Sequence, residues 1–281
     1  MVVLTLVLAI FVGVSLGLLG GGGSILTVPL LVYVAGMETK EAIATSLLVV
    51  GVTSMVGAIS HARGGRVQWR TGVVFGLAGM TGAYAGGRVA ELIAGQWLLM
   101  AFALLMVATG LAMLRPRRKV DLERVPAHLP TARAMVYGLV IGLVTGLVGA
   151  GGGFVIVPAL ALLGGLPMPV AIGTSLVVIA MNAAAGLAGH LASVTVDWRM
   201  AAMVTGAAVI GALLGGRLSG RIAAETLRRM FGWFVLVMAV VVAAQEAPDV
   251  VWSGVVLAAG AVLMVVTWLI LRRQPPAAAR A

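Results

Sequence analysis

Two stretches of the chain carry closely spaced glycines just ahead of a short apolar segment. They are Gly-Leu-Leu-Gly-Gly-Gly-Gly-Ser, Gly17 to Ser24, and Gly-Leu-Val-Gly-Ala-Gly-Gly-Gly, Gly146 to Gly153. Glycine lets backbone N–H groups approach a ligand, and the N-terminus of the helix that follows carries unpaired donors and about half a positive charge. That chemistry suits an anion. The candidate binding residues are Gly20, Gly21, Gly22, Gly23 and Ser24 in the first stretch and Gly149, Gly151, Gly152 and Gly153 in the second. The competing reading is close helix packing by small residues. A dinucleotide loop fits poorly, because Gly149-Ala150-Gly151 needs a third glycine where Phe154 stands, and no strand precedes it.

A second set of polar groups lies further along each half, in the third apolar segment. Thr45, Ser46 and Thr53 fall near one face of a helix, since seven residues make almost two turns, and Thr174, Ser175 and Asn182 repeat the pattern. These six are candidate substrate ligands, Thr53 and Asn182 near mid-segment. Hydroxyls can instead bond back to the preceding turn, whereas a full amide such as Asn182 in hydrocarbon needs partners. His61 and His190 sit at segment ends near Trp69 and Trp198. Interfacial anchoring and gating are both open to them, and Arg88 and Arg217 can either attract anions at two mouths or snorkel from helix ends.

All nine carboxylates, Glu38, Glu41, Glu91, Asp121, Glu123, Asp197, Glu225, Glu246 and Asp249, lie in connections or at segment ends. None stands mid-segment to carry a proton or ligate a divalent cation, which counts against a metal transporter and a carboxylate-based proton pump. There is no His-Glu-x-x-His for an intramembrane metalloprotease. No Ser or Thr has an evident base beside it, so the chain does not read as an enzyme, and no cofactor or metal site is expected. The absence of cysteine excludes disulfides and thiolate chemistry.

The elements that must position these residues are set by hydrophobicity. With 61% hydrophobic and 10% charged residues and a mean hydropathy of +1.13, the chain exceeds what a soluble core can hide, and a bilayer is the solvent that fits. The formal charge of +10 sits in short clusters between apolar runs. That is a topology signal and not a nucleic-acid-binding face.

The chain is also duplicated. Pro29 and Pro158 stand 129 residues apart, and at that offset His61 meets His190, Trp69-Arg70 meets Trp198-Arg199, and Gly86-Gly87-Arg88 meets Gly215-Gly216-Arg217. Shared hydrophobicity does not explain matched Pro, His, Trp and Arg. Each unit reads as five segments, over 2–19, 24–36, 41–60, 69–90 and 96–114, then 134–149, 153–165, 168–190, 197–218 and 228–245. A last segment, 250–271, has no partner. Residues 1–114 are thus a first transmembrane repeat, 115–133 a basic linker, 134–246 a second repeat, and 247–281 an extra helix with a short tail. Val2 to Leu19 has no basic leader and a counterpart mid-chain, so it reads as a retained segment and not a signal peptide. The second segment of each unit is too short to cross about 30 Å of hydrocarbon, which predicts Gly-broken or re-entrant helices. Gly82 with Gly86, and Gly211 with Gly215, are GxxxG pairs expected to pack helices.

Lys and Arg bias gives the orientation. Arg63, Arg66 and Arg70, the run Arg115 to Lys119, the arginines between Arg217 and Arg229, and Arg272 with Arg273 should all be cytoplasmic, with Glu246 and Asp249 outside. This is met if the two units face opposite ways, with Met1 outside and Ala281 cytoplasmic. The fold expected is therefore an all-α polytopic membrane protein of two inverted-topology repeats plus one C-terminal helix.

GLLGGGGSILTVP with Ala-x-x-Thr-Ser-Leu at Ala42 to Leu47, repeated as GLVGAGGGFVIVP and Ala171 to Leu176, resembles the TauE/SafE sulfite exporter family. The resemblance covers nearly the whole chain. It implies export of a small sulfur oxyanion, sulfite or an organosulfonate, across the cytoplasmic membrane without ATP hydrolysis by the protein itself. An alternating-access carrier, an anion channel of the same fold and a non-transport scaffold are the competing functions. The partners expected are a small anion and the bilayer, a homo-oligomer being compatible with the sequence.

Overall fold

The computed structural model describes residues 2–19, 22–114, 131–148, 152–160, 166, 168–218 and 224–246, and all regular structure in them is helical. Gly20, Gly21, Gly149, Gly151, most of the 115–133 linker and the 250–271 segment lie outside the described residues. The helices are α1 (Val2–Leu19), α2 (Thr27–Pro29), α3 (Thr39–Arg63), α4 (Trp69–Ala90), α5 (Gly95–Leu114), α6 (Thr131–Val148), α7 (Gly153–Pro158), α8 (Met168–His190), α9 (Trp198–Leu218) and α10 (Ala224–Glu246).

Among the described residues three stretches, Thr39–Arg63, Val170–His190 and Trp198–Gly216, are long and apolar enough to cross a membrane. Large apolar side chains also point away from the protein, among them Phe11 at 62% exposure and Leu104 at 72%. Water penalises such faces and lipid does not.

The chain between α1 and α3 is a succession of helical types. Gly22–Leu26 forms a 3₁₀ turn, α2 is a single α turn, and Leu30–Val34 opens into a π turn. Pro29 explains part of the change, because it has no N–H to donate to the preceding turn and its ring crowds that carbonyl. The segment survives because Ser24 to Leu31 are buried throughout, and irregular backbone at membrane depth is tolerated only inside protein. The other half has a six-residue α7 at the matching place, and α7 packs on the Gly22–Leu26 turn.

Helix pairing is reciprocal between the halves. α1 packs along α9 as α6 packs along α4. A Cβ on Gly13 would overlap the Ala208 carbonyl oxygen, and one on Gly142, its match, would overlap that of Gly79. Gly82 and Gly86 likewise meet the Leu139 and Leu143 carbonyls, while Gly211 and Gly215 meet those of Ile10 and Val14. Both GxxxG pairs therefore lie where two backbones touch, an approach any side chain would prevent. α3 and α8 cross antiparallel at the centre, with Gly57 against Leu176, Gly51 against Ala183, and Leu47 against Gly186.

Candidate functional site

A cavity of about 410 Å³ opens between α1, α3 and α9, with α8 at its base. This is within the range of about 300–1,000 Å³ typical of small-molecule sites. Its polar wall comes from one face of α3: Thr53 and Ser54, then Ser60, His61 and Arg63, with Arg66 from the loop that follows. Spacings of three, four and seven residues bring these groups to one side of the helix. Leu16, Gly17, Leu176, Ala212 and Gly216 complete the lining, and none of the lining residues is acidic. Two guanidinium groups at the mouth and hydroxyls at the base make this a place for an anion.

Several buried polar atoms, of which those of Ser54 and His61 belong to residues lining the cavity, have no hydrogen-bond partner among the described residues. They include Ser54 Oγ, His61 Nδ1, Thr45 Oγ1 and Thr27 Oγ1, and both amide atoms of Asn182. Asn182 is 1% exposed and lies against Gly79 of α4, where a Cβ would displace it. A buried amide with neither atom bonded costs several times what one lost hydrogen bond would, so it needs a reason.

The remaining hydroxyls are engaged. Thr53 Oγ1 donates to the Val49 carbonyl at 2.7 Å and Ser175 Oγ to that of Ile172 at 2.8 Å, both back-bonds within a helix. Ser24 and Ser46 are fully buried. Thr174 Oγ1 accepts the backbone N–H of Gln68 at 2.9 Å, holding the loop between α3 and α4 onto α8. Thr174→Val should therefore lower stability by about 1–3 kcal/mol, read from thermal unfolding in detergent, by stranding that N–H.

The glycine tips divide unevenly. Gly152 takes φ +77, a left-handed conformation that favours glycine, and its carbonyl accepts the N–H groups of Val155 and Ile156 to start α7. Gly153 is buried in the first turn, and Gly22 and Gly23 open the 3₁₀ turn.

Arg88 forms an exposed ion pair with Glu91 at 2.6 Å, and Lys40 Nζ donates to the Glu91 backbone carbonyl. The side chain of Arg217 lies outside the described residues.

The two histidines are in different states. His190 is 1% exposed, and its Nε2 donates to the Gly146 carbonyl at 2.9 Å. It is not an interfacial anchor here. His61, its match, lines the cavity, whose wall also includes Gly17, the match of Gly146. Around His190 the helices are shut: a Cβ on Gly87 would lie 2.8 Å from the Gly186 carbonyl oxygen and 3.1 Å from the Gly189 Cα. At the matching end nothing lies within 4 Å of a Cβ on Gly216, and α9 stands off α3.

Sequence reasoning missed Ser54, Arg63 and Arg66 as cavity residues. Ser54 has Ala183 as its match, so a search for duplicated polar positions passes over it. The two arginines carry a topology signal that masks any second role.

The sequence profile of a family described as sulfite exporter TauE/SafE matches residues 5–242. A probable membrane transporter protein of Xylella fastidiosa (strain Temecula1) is 39% identical over 238 residues, covering 82% of this chain and 90% of the relative. The probable membrane transporter protein YunE of Bacillus subtilis is 26% identical over 250 residues, covering 80% and 91%. One from Methanocaldococcus jannaschii is 28% identical over 203 residues, covering 68% and 74%. No solved structure matches the chain.

Proposed function

This chain belongs to the sulfite exporter TauE/SafE family, and from that premise we propose that it is a secondary transporter carrying a small sulfur oxyanion, sulfite or an organosulfonate, out of the cytoplasm by alternating access. The observation that carries the proposal is the unequal state of two matching ends. Between α4 and α8 the backbones touch at Gly87, Gly186 and Gly189, while between α3 and α9 the same positions bound an open cavity. A carrier must have one side open and the other sealed, and two copies of one unit in two conformations provide that. A channel needs both ends open together, so the sealed end favours the carrier.

The halves are taken as inverted-topology repeats, a reading supported by the antiparallel crossing of the matched helices α3 and α8. Lys and Arg bias then puts Met1 outside, and residues 115–133, Ala281 and the Arg63–Arg66 mouth in the cytoplasm. In this conformation the protein loads. Arg63 and Arg66 raise the local anion concentration at the mouth. Thr53, Ser54 and His61 line the cavity, and the Asn182 amide, which lies outside that lining against α4 and has no partner among the described residues, would offer its N–H donors to an anion that moves on from the cavity. The backbone N–H groups of the tips, Gly22 to Ser24 and Gly152 to Gly153, would add donors beyond the cavity.

Proteoliposomes loaded with labelled sulfite, sulfate or sulfoacetate, with and without a pH gradient, test the function directly. Sulfite or the organosulfonate should move and a gradient should alter its rate. The combined change Arg63→Gln and Arg66→Gln should raise KM about tenfold with little effect on kcat, and should flatten the salt dependence, as expected for charges that steer a ligand. Equal transport by parent and an unrelated membrane protein in the same vesicles would refute the assignment.

A further inference from the structure

We infer that His61 and His190 are alternating latches, each closing its own half by donating Nε2–H to the carbonyl of the matched glycine, Gly17 or Gly146. The inference rests on the alternating-access reading and adds to it the atoms that hold each side shut.

The Gly146 carbonyl lies in the last described turn of α6. His190 Nε2–H donates to it from α8. The bond therefore ties α8 to the end of α6, at the point where the chain enters its glycine tip. Gly17 occupies the same place in α1, which ends at Leu19. His61 lines the same cavity as Gly17, with Nδ1 unpartnered among the described residues. One latch is made and its twin is unmade, in the same molecule and from the same residue types.

Closure of the cavity by the route already taken in the other half would bring Gly216 and Gly57 together as Gly87 and Gly186 now are, and would carry His61 to the Gly17 carbonyl. Making one latch while breaking the other exchanges one hydrogen bond for another of the same kind. The two states then differ little in energy, as a carrier requires.

Single-cysteine accessibility tests this, since the native chain has no cysteine. Ser60→Cys reports the cavity, and Thr145→Cys, a buried near-isosteric change beside Gly146, reports the sealed side. His190→Ala should speed labelling at 145 and slow it at 60, by about fivefold, the population shift of one ordinary hydrogen bond. His61→Ala should do the reverse. His190→Gln and His61→Gln, which keep an N–H donor of similar reach, should stay near the parent. If the parent shows exchange between the two probes on adding sulfite but the alanine variants shift neither, or shift both the same way, the latches are wrong and the carrier reading stands. If the parent shows no exchange between the probes, the carrier reading fails and the latches with it.

Discussion

Gly216→Leu is expected to give a folded protein that no longer transports, while Gly215→Leu, one residue earlier, is expected to give little folded protein at all. The two glycines face different surroundings on the same helix. A Cβ on Gly215 would overlap the Val14 carbonyl oxygen, where α1 and α9 touch backbone to backbone. No flexible side chain is there to move aside, so α9 must leave α1. That separation also breaks the matching contact of Gly211 with Ile10. Overpacking of a rigid contact costs about 1–3 kcal/mol and often more, a large part of a protein's net stability.

At Gly216 the same leucine has room, because nothing lies within 4 Å of its Cβ. Folding should be unaffected or slightly helped by the gain in helix propensity. The clash appears only on closing, when Gly216 would take the place that Gly87 holds against Gly186 and Gly189. A clash of about 3 kcal/mol confined to one state lowers its population by about a hundredfold, and with it the rate of any cycle through that state. Size-exclusion profiles and thermal unfolding in detergent give the folding arm, and vesicle flux gives the other. Parent-level flux from well-folded Gly216→Leu would show that α9 never closes onto α3.

The contrast marks where sequence was readable and where it was not. Helix positions and duplication were legible because Pro, His, Trp and Arg recur at one offset, and because apolar runs of helical length have few other uses. The GxxxG pairs were legible for the same reason as any small-residue contact in lipid. What could not be read was which half is open. His61 and His190, and Gly216 and Gly87, are the same residue types in the same order, and although Ser60 stands where the shut copy has Gly189, one added hydroxymethyl group does not by itself say which copy is open.

Arg88 and Thr174 each make a contact that the sequence reading left out. Glu91 stands three residues from Arg88, a spacing that places an acid within reach on one helical face, and the ion pair follows from it. Thr174 Oγ1 accepts the Gln68 N–H brought up by the α3–α4 loop, a contact across 106 residues that no local pattern reveals.

Asn182 offers the sharpest test of the binding site, because function and stability are expected to move in opposite directions. Its amide is buried against Gly79 with neither atom bonded, while Thr53, its match, bonds back to Val49 within α3. Thr53 is at rest in the protein and Asn182 is not. Replacing an unbonded buried amide by an apolar side chain of similar size should recover about 1–3 kcal/mol, since the desolvation penalty disappears and the packing remains. Asn182→Leu should accordingly raise the unfolding temperature in detergent. Asn182→Ala should gain less, because it leaves a cavity beside Gly79. If the amide exists to meet an oxyanion, both changes should weaken anion binding by about ten- to a hundredfold, the worth of a hydrogen bond to a charged group. Sulfite should also stabilise the parent against heat, and should do so much less for either variant. A purely structural amide predicts the other pattern, with stability lost and anion affinity intact. Should Asn182→Leu bind and carry the anion as the parent does, the amide is not part of the site, and the cavity, with Ser54 and the two mouth arginines, becomes the place to look.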